Sequence, residues 1–292
     1  MQWPGSSSSA SEPRLLDAAL LAALQGLTLP TRRARGALPG VHSGTQPGRG
    51  EDFFQHRAYV SGEDVRSVDW RASARTGHLL VKERHRPLRQ PLALLLDRSA
   101  SMQFAGKERC ALQLAAGLAL LALQRGDPVS LFALHERGFR AAGRALPAGR
   151  SGEAAELLVQ RTPRAGRANL AAALSSLPGA ALSGSHAVLV SDLYGDEEQL
   201  SSGLRALVRA GAAVSVLHVL SARERELPAS APALRDLETG EERAVTPGEE
   251  LGPRIEAWLN RLRAAAARAG AELIPAAAES PAALTLRHWL HR

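Results

Sequence analysis

Four oxygen-bearing side chains follow two apolar runs of the sequence, and together they are suited to holding a cation. Three lie in the segment after the run at 92–96, and the fourth comes directly after the run at 187–191. A hard divalent ion takes carboxylate and hydroxyl oxygens together with water in octahedral geometry. If the two runs are neighbouring strands, the pattern predicts a Mg²⁺ or Mn²⁺ site at one edge of a sheet. The predicted ligands are Asp97, Ser99, Ser101 and Asp192.

The same residue types have a second interpretation, which involves no metal. Aspartate and serine also cap helix N-termini by accepting hydrogen bonds from free backbone N–H groups, and the residues alone leave both interpretations open. The set contains no nucleophile with an adjacent base. Lys107 follows Gly106, but position 101 is a serine where a phosphate-binding loop requires glycine, so we expect no NTPase.

The elements that would position these residues are visible from residue 91 onward. Short apolar segments alternate there with longer segments of helical periodicity, which predicts a three-layer, doubly wound α/β fold with a mainly parallel sheet. A strand order of 3-2-1-4-5, in which 92–96 is the first strand and 187–191 the fourth, would place these two strands side by side. Strands are predicted at 92–96, 129–134, 187–191, 213–219 and 272–274, and a hairpin around Thr239-Gly240. Helices are predicted at about 107–124, 153–161, 169–177, 198–210, 253–269 and 281–291.

The first 90 residues have a different character. A Ser-, Gly- and Pro-rich start predicts a disordered tail. A helix at 15–29, ended by Pro30, precedes a basic segment with strands at 58–60 and 78–84. The resulting divisions are a tail at 1–13, a helix with a basic β-containing extension at 14–90, and the α/β domain at 91–292.

The excess of basic residues suggests nucleic acid as a partner, but the distribution of charges along the sequence argues against it. The chain has 36 basic and 29 acidic residues, a formal net charge of +7, and every basic residue except Lys82 and Lys107 is an arginine. Between residues 31 and 90, acidic residues interleave with the arginines and few aromatic residues accompany them, unlike an open phosphate-binding groove. We therefore expect no nucleic-acid partner. The single cysteine, Cys110, excludes an internal disulfide and a cysteine-based zinc site.

The apolar segments are too short to predict a membrane span. A spanning helix needs about 20 apolar residues, whereas the longest candidate, at 111–123, is interrupted by Gln113. The N-terminal segment lacks the basic region of a signal peptide. We expect a cytoplasmic protein without a transmembrane segment.

The Asp-x-Ser-x-Ser sequence at 97–101 resembles the metal-ion-dependent adhesion site of von Willebrand factor type A domains. In this resemblance Asp192 matches the aspartate after the fourth strand, whereas Ala168 stands where a Gly-x-Thr loop has its threonine. The resemblance therefore implies a degenerate site with weak metal binding, in which Asn169 or Thr162 would have to supply the missing oxygen.

A longer resemblance covers most of the chain. Segments at 57–59, 62–66 and 68–77 resemble the signature of the bacterial family called domain of unknown function 58, as do segments at 120–127 and 236–241. In that family the signature precedes a type A domain, so the resemblance implies a von Willebrand factor type A fold after residue 90. Such proteins are often encoded beside MoxR-type AAA+ ATPases and are thought to be adaptors or assembly factors. The signature residues of interest are Arg66, Asp69, Trp70, Arg71, Ser73 and Arg75.

Two questions about function stay open at this point. The signature residues either form charge pairs within the protein or face a partner. The resemblance implies a non-enzymatic interaction module, an adaptor that binds a MoxR-type AAA+ ATPase and its client protein through the degenerate adhesion site. The alternative is a metal-dependent phosphohydrolase or nuclease, although phosphatases with an aspartate nucleophile need a second acid where this chain has Ser99.

Overall fold

The computed structural model divides the chain into a smaller unit, residues 38–89, and a larger unit, residues 1–37 together with 90–292. It describes residues 14–32, 46–48, 52–86, 89–136, 138–146, 150–164, 169–225, 233–235, 237, 240–244 and 251–291. The helices are α1 (Ala18–Leu24), α2 (Trp70–Thr76), α3 (Lys107–Arg125), α4 (Ser151–Gln160), α5 (Leu170–Ser175), α6 (Gly179–Leu182), α7 (Glu197–Arg209), α8 (Ala222–Arg225), α9 (Leu251–Ala269) and α10 (Ala282–Leu290). The strands are β1 (Gln46–Gly48), β2 (Asp52–Ala58), β3 (Leu80–Arg86), β4 (Leu92–Leu96), β5 (Val129–His135), β6 (Gly138–Ala145), β7 (His186–Ser191), β8 (Ala213–Leu220), β9 (Ala233–Arg235), β10 (Glu242–Ala244) and β11 (Glu272–Ala277). Within the described ranges, no helix has the length and apolar character needed to cross a membrane.

The larger unit is built on a six-stranded sheet in the order β11-β8-β7-β4-β5-β6. Five strands are parallel, and β6 pairs antiparallel with β5 at one edge. Counted along the chain, the order is 3-2-1-4-5-6, in which the unpredicted strand β6 is the third and β7, predicted at 187–191, is the fourth. The three-layer, doubly wound, mainly parallel fold is therefore confirmed, and β4 and β7 are neighbours.

The central strand β4 shows why the sequence has continuous apolar runs. Leu92, Leu94 and Leu96 lie in a core formed with α1, α3 and α10, whereas Ala93 and Leu95 lie in a second core formed with α5, α7 and α9. Helices thus cover both faces of the sheet. A parallel strand buried on both faces needs apolar side chains in both directions, so the run LALLL has no polar alternation.

The N-terminal helix α1 belongs to the larger unit, which differs from the predicted division at residue 90. Leu20 and Leu24 are buried in the core that contains α3 and α10. Gly117 of α3 permits the close approach, since a Cβ built on it would lie 2.7 Å from Leu286 Cδ1 and 3.3 Å from Leu24 Cδ1. The apolar face of α1 indicates from sequence that this helix is buried. It does not indicate which helices cover it, because α3 and α10 lie far along the chain.

The chain leaves the larger unit after α1 and returns to it just before β4. Arg32 and Gln90 connect these two places through two hydrogen bonds. The Arg32 N–H donates to Gln90 Oε1 at 2.9 Å, and Gln90 Nε2 donates to the Arg32 carbonyl at 2.6 Å. Both residues belong to the larger unit, so the two segments of that unit are joined side by side.

Two short antiparallel elements complete the larger unit. Strands β9 and β10 pair with Arg235 opposite Glu242, which confirms the predicted hairpin. The edge strand β6 was not predicted. Its sequence, GFRAAGRA, lacks the β-branched residues and the alternation that indicate strands, and much of it is exposed.

The smaller unit is a three-stranded antiparallel sheet in the order β1-β3-β2, with α2 in the connection between β2 and β3. The strand predicted at 58–60 lies earlier, at Asp52–Ala58, because the chain turns at Ser61 and Gly62, where Gly62 has a φ of +103°. The strand predicted at 78–84 lies at Leu80–Arg86. The extension therefore contains β-structure, as predicted, with shifted boundaries.

Candidate functional site

The candidate metal ligands lie where two central strands of the sheet end. The Asp97 N–H continues the β4–β7 pairing by donating to the Val190 carbonyl at 3.0 Å, so Asp97 and Asp192 follow at the same edge. Both are buried. Ser99 and Ser101 are buried in the loop after β4, with their Oγ atoms 3.0 Å apart.

The Asp97 carboxylate is held by two hydrogen bonds from its own loop and from β7. The Ser99 N–H donates to Oδ1 at 2.9 Å, and the Ser191 hydroxyl donates to Oδ2 at 2.7 Å. Burial, together with repulsion from the charge of Asp192, raises the pKa of Asp97 from 3.8 to about 6. A positive charge close by would therefore stabilise the ionised form of this buried pair.

A lysine supplies a positive charge at this edge. Lys107, the first residue of α3, is 0% exposed. Its Nζ donates to Asp192 Oδ2 at 2.8 Å and also to Glu224 Oε1. Sequence spacing does not reveal the pairing of Lys107 with Asp192 and Glu224, because the two carboxylates lie 85 and 117 positions further along the chain. The available signal was that Lys107 is one of two lysines among 36 basic residues.

The Glu224 carboxylate is positioned by its own set of donors. The Ser221 N–H donates to Oε2 at 2.8 Å, and the Tyr194 hydroxyl donates to Oε1 at 3.1 Å. Lys107 Nζ also lies 5.2 Å from the centre of the Tyr194 ring, within the range of a cation–π contact. The ammonium is therefore surrounded by two carboxylates and an aromatic face.

Aromatic side chains cover the cluster on its outer side. Tyr194, which is 45% exposed, stacks on Trp258 with the ring centres 5.4 Å apart. His218 packs edge-on against Trp258, and its Nε2 lies 2.9 Å from the Asp192 carbonyl oxygen. Burial lowers the pKa of His218 to about 4. At neutral pH the imidazole is therefore uncharged, and its Nε2–H donates to that carbonyl.

The backbone after Asp192 is strained. Leu193 is buried and has a φ of +59°, in the left-handed region that a leucine rarely adopts. Its N–H donates to the Ser191 hydroxyl at 2.9 Å. This hydrogen bond and the burial of the leucine side chain hold the turn that directs Asp192 toward Lys107.

The residues present at this edge do not fit a divalent ion as they are arranged. The Asp192 carboxylate binds the Lys107 ammonium, and both Asp97 oxygens accept hydrogen bonds. Among the described residues, no group of three or more His, Cys, Asp or Glu side chains has the geometry of a metal site. The weak Mg²⁺ or Mn²⁺ binding expected from the sequence stays a prediction.

The missing threonine has no evident substitute in the described part of the chain. Ala168 lies outside the described residues. The Asn169 side chain caps α5 by accepting from the Ala172 N–H at 3.0 Å. Thr162 is buried, and its hydroxyl makes no hydrogen bond with the described residues, while its carbonyl accepts from the Arg98 guanidinium. The Thr162 hydroxyl is thus unpartnered, but no contact connects it to Asp192.

A second, partly exposed ion cluster fixes the loop that carries the serines. Glu108, the second residue of α3, accepts from Arg98 Nη2 at 2.6 Å and from Arg164 Nη2 at 2.7 Å. Hydrogen bonds from Arg164 and Arg98 lower the pKa of Glu108 to about 2. One carboxylate therefore joins the loop after β4, the start of α3 and the segment that follows α4.

Two of the signature residues in the smaller unit have a structural role. Asp69 caps α2 by accepting from the Arg71 and Ala72 N–H groups, each at 3.1 Å. The Ser73 hydroxyl donates to the Asp69 carbonyl at 2.8 Å and accepts from the Leu80 N–H at 2.9 Å. These bonds attach α2 to β3.

The remaining signature residues face outward. Trp70 is 62% exposed, and Arg66, Arg71 and Arg75 are also exposed. None of the three arginine side chains forms an ion pair with a residue in the described ranges. Charge pairing does occur within the signature segments, between Arg57 and Glu63, so both interpretations of the signature stay predictions.

Comparison with known proteins identifies relatives of unknown activity. A family model described as protein of unknown function DUF58 matches residues 55–265. Uncharacterized proteins of Mycobacterium bovis and Mycobacterium tuberculosis are 34% identical over 235 residues, which cover 77% of this chain and 73% of each relative. The resemblance to this family is thus confirmed.

Two solved structures overlap with the chain at low identity. The von Willebrand factor type A protein from Catenulispora acidiphila is 11% identical, with a TM-score of 0.42, and the match covers 73% of this chain and 43% of that one. The conserved hypothetical protein BatB from Bacteroides thetaiotaomicron is 15% identical, with a TM-score of 0.42, and the match covers 69% of this chain and 97% of that one. These scores carry no conclusion about function.

Proposed function

The chain belongs to the family of proteins of unknown function DUF58, and on that premise we propose that it is a cytoplasmic adaptor that binds a MoxR-type AAA+ ATPase and its client protein. Its von Willebrand factor type A-like fold suggests a protein-interaction module. The observation that carries the proposal is the exposure of Trp70 beside three arginines without ion pairs in the described ranges.

The chemistry of this surface suits an acidic protein partner. Tryptophan and arginine are enriched among the residues that dominate binding energy at protein interfaces. Arginine also forms bidentate, charge-assisted hydrogen bonds with carboxylates, which select partners by geometry. Arg71 and Arg75 are four residues apart on α2 and thus lie on one face. We expect the ATPase to present Asp or Glu side chains to this face.

The end of the sheet around Tyr194 is the proposed contact for the client protein. This edge carries the residues predicted to form the degenerate adhesion site, and Tyr194 is exposed there. An aromatic ring with a hydroxyl group at the surface offers both apolar contact and hydrogen bonding.

The test is a binding titration between the purified chain and the MoxR-type ATPase of the same organism, with nucleotide present. Trp70→Ala should weaken binding by at least about tenfold, and Arg71→Glu with Arg75→Glu by a similar factor. The matched controls are Leu284→Ala, another exposed apolar residue, and Arg150→Glu, an exposed arginine of the larger unit. They should leave the affinity unchanged. Absence of binding by the unaltered chain would contradict the proposal.

The hydrolase alternative is tested in the same preparation. Incubation with Mg²⁺ and a phosphoester substrate, either p-nitrophenyl phosphate or duplex DNA, should yield no product. Cleavage that Asp97→Ala abolishes would show that the adaptor interpretation is wrong.

A further inference from the structure

The environment of Lys107 is an unfavourable one for a charged side chain unless oppositely charged groups lie beside it. Lysine is almost never fully buried unless it is paired, and this one is 0% exposed. It is also the first residue of a 19-residue helix, where the partial positive charge of the helix dipole disfavours a cation. Burial and helix position both oppose a lysine here, so the two carboxylates it binds must be the reason for it.

We propose that the Lys107 ammonium takes the place of the divalent ion in this degenerate adhesion site, so that the site is complete without metal. The ammonium contacts Asp192, one of the predicted metal ligands, and Glu224, which the metal prediction did not include. It places a positive charge on Asp192, which is buried at the same end of the sheet as Asp97.

The position of the ammonium leaves no favourable place for an ion on the Oδ2 atom of Asp192. A Mg²⁺ ion binds a ligand oxygen at about 2.1 Å, and Asp192 Oδ2 is 2.8 Å from Lys107 Nζ. An ion on that oxygen would lie within about 5 Å of the ammonium, and the repulsion between them would be strong in a buried site. The lysine and the ion are therefore alternatives.

The choice of lysine supports this assignment. All but two of the 36 basic residues are arginines, so composition alone would put an arginine at position 107. The ammonium group is a compact point charge with three rotatable donors, whereas the guanidinium is a wide planar fork. The compact charge is the closer mimic of a small ion among carboxylate oxygens.

This assignment changes how the edge would recognise a partner. At a metal-bearing adhesion site, an acidic side chain of the partner completes the coordination of the ion. Lys107 is covered by Tyr194 and by its carboxylates, so a partner carboxylate does not reach it. Whether Lys107 or a metal ion is the cation at this edge does not depend on whether the ATPase is a partner.

The test is Mn²⁺ binding, followed by the loss of the free Mn²⁺ electron paramagnetic resonance signal, together with thermal unfolding in EDTA or Mg²⁺. The unaltered chain should bind no Mn²⁺ below 1 mM, about the millimolar range of a weak site, and its Tm should be the same in EDTA and Mg²⁺. Lys107→Ala should unfold at lower temperature, bind Mn²⁺ at least tenfold more tightly than the unaltered chain, and regain thermal stability with Mg²⁺. The matched control is Lys82→Ala, which removes the other lysine and should not create metal binding.

Two results would overturn the proposal. One result is that the unaltered chain binds Mn²⁺ and that Asp192→Asn abolishes this binding. This measurement can be made even if the Lys107→Ala variant does not fold. The other is a folded Lys107→Ala variant that binds no Mn²⁺. If Lys107→Ala gains binding, adding Asp192→Asn should remove it, because the ion then loses a carboxylate that held the ammonium.

Discussion

Replacing Glu108 with glutamine should destabilise the protein in a pH-dependent way. The hydrogen bonds from Arg164 and Arg98 lower the pKa of Glu108 from 4.5 to about 2. Since the folded pKa lies below the unfolded one, the ionised carboxylate stabilises the fold above about pH 4.5, and this stabilisation is lost as the pH falls toward 2. A tenfold change in proton affinity corresponds to about 1.4 kcal/mol, so the upper bound at pH 7 is about 3 kcal/mol. Arg164 is 59% exposed, and screening by solvent reduces the expected loss to about 2 kcal/mol.

The assay for Glu108→Gln is urea unfolding of both proteins at pH 7 and pH 3.5. The difference in unfolding free energy between the unaltered chain and Glu108→Gln should be smaller by about a third to a half at pH 3.5. At this pH Glu108 is mostly protonated in the unfolded chain, so its ionised form in the folded state contributes less stability. The control is Glu153→Gln, which removes an exposed partner of Arg150 at 3.4 Å and should change the free energy of unfolding by less than about 0.5 kcal/mol. A Glu108→Gln variant as stable as the unaltered chain at pH 7, or a loss that does not vary with pH, would refute the reasoning.

Two further substitutions test the described geometry. Burial and the charge of Asp192 raise the pKa of Asp97 to about 6, so its ionisation opposes folding and the protein loses stability as the pH rises from 4 through 6. In urea unfolding, the stability of Asp97→Asn relative to the unaltered chain should therefore increase by up to about 3 kcal/mol between pH 4 and pH 8. A stability difference that does not vary with pH would contradict this. Gly117→Ala should destabilise the protein by about 1 kcal/mol, because the added Cβ would lie 2.7 Å from Leu286 Cδ1. The control is Gly152→Ala in α4, where no atom lies within 4 Å of the added Cβ, and it should be neutral or stabilise by up to about 1 kcal/mol. Equal Tm values for the two variants would show that the contact between α3 and α10 at Gly117 is not tight.

The sequence predicted the elements whose signal is local. The runs that became β4 and β7 are apolar on both faces, and the residues that follow them, Asp97 and Asp192, were placed at one edge by strand order alone. The strand β6 was missed because an edge strand rich in Gly, Ala and Arg has no burial pattern to detect.

The contacts that were not predicted are those between distant parts of the chain. The burial of Leu24 of α1 against Gly117 of α3 depends on two surfaces almost a hundred positions apart. The pairing of Lys107 with Asp192 and Glu224 depends on three elements meeting at the end of a sheet. Periodicity and spacing carry information about residues that are close in sequence. A charge pair between residues far apart in sequence produces no periodicity or spacing from which it could be predicted.

The two hydrogen bonds between Arg32 and Gln90 make the smaller unit an insertion within the larger one. The scaffold is discontinuous in sequence but continuous in space, because the chain departs and returns at adjacent points. The entropy of closing such a loop grows only slowly with its length, so changes of length within residues 38–89 should cost the larger unit little stability. Trp70 and its neighbouring arginines lie in this inserted unit, so substitutions there should leave the core of the sheet intact.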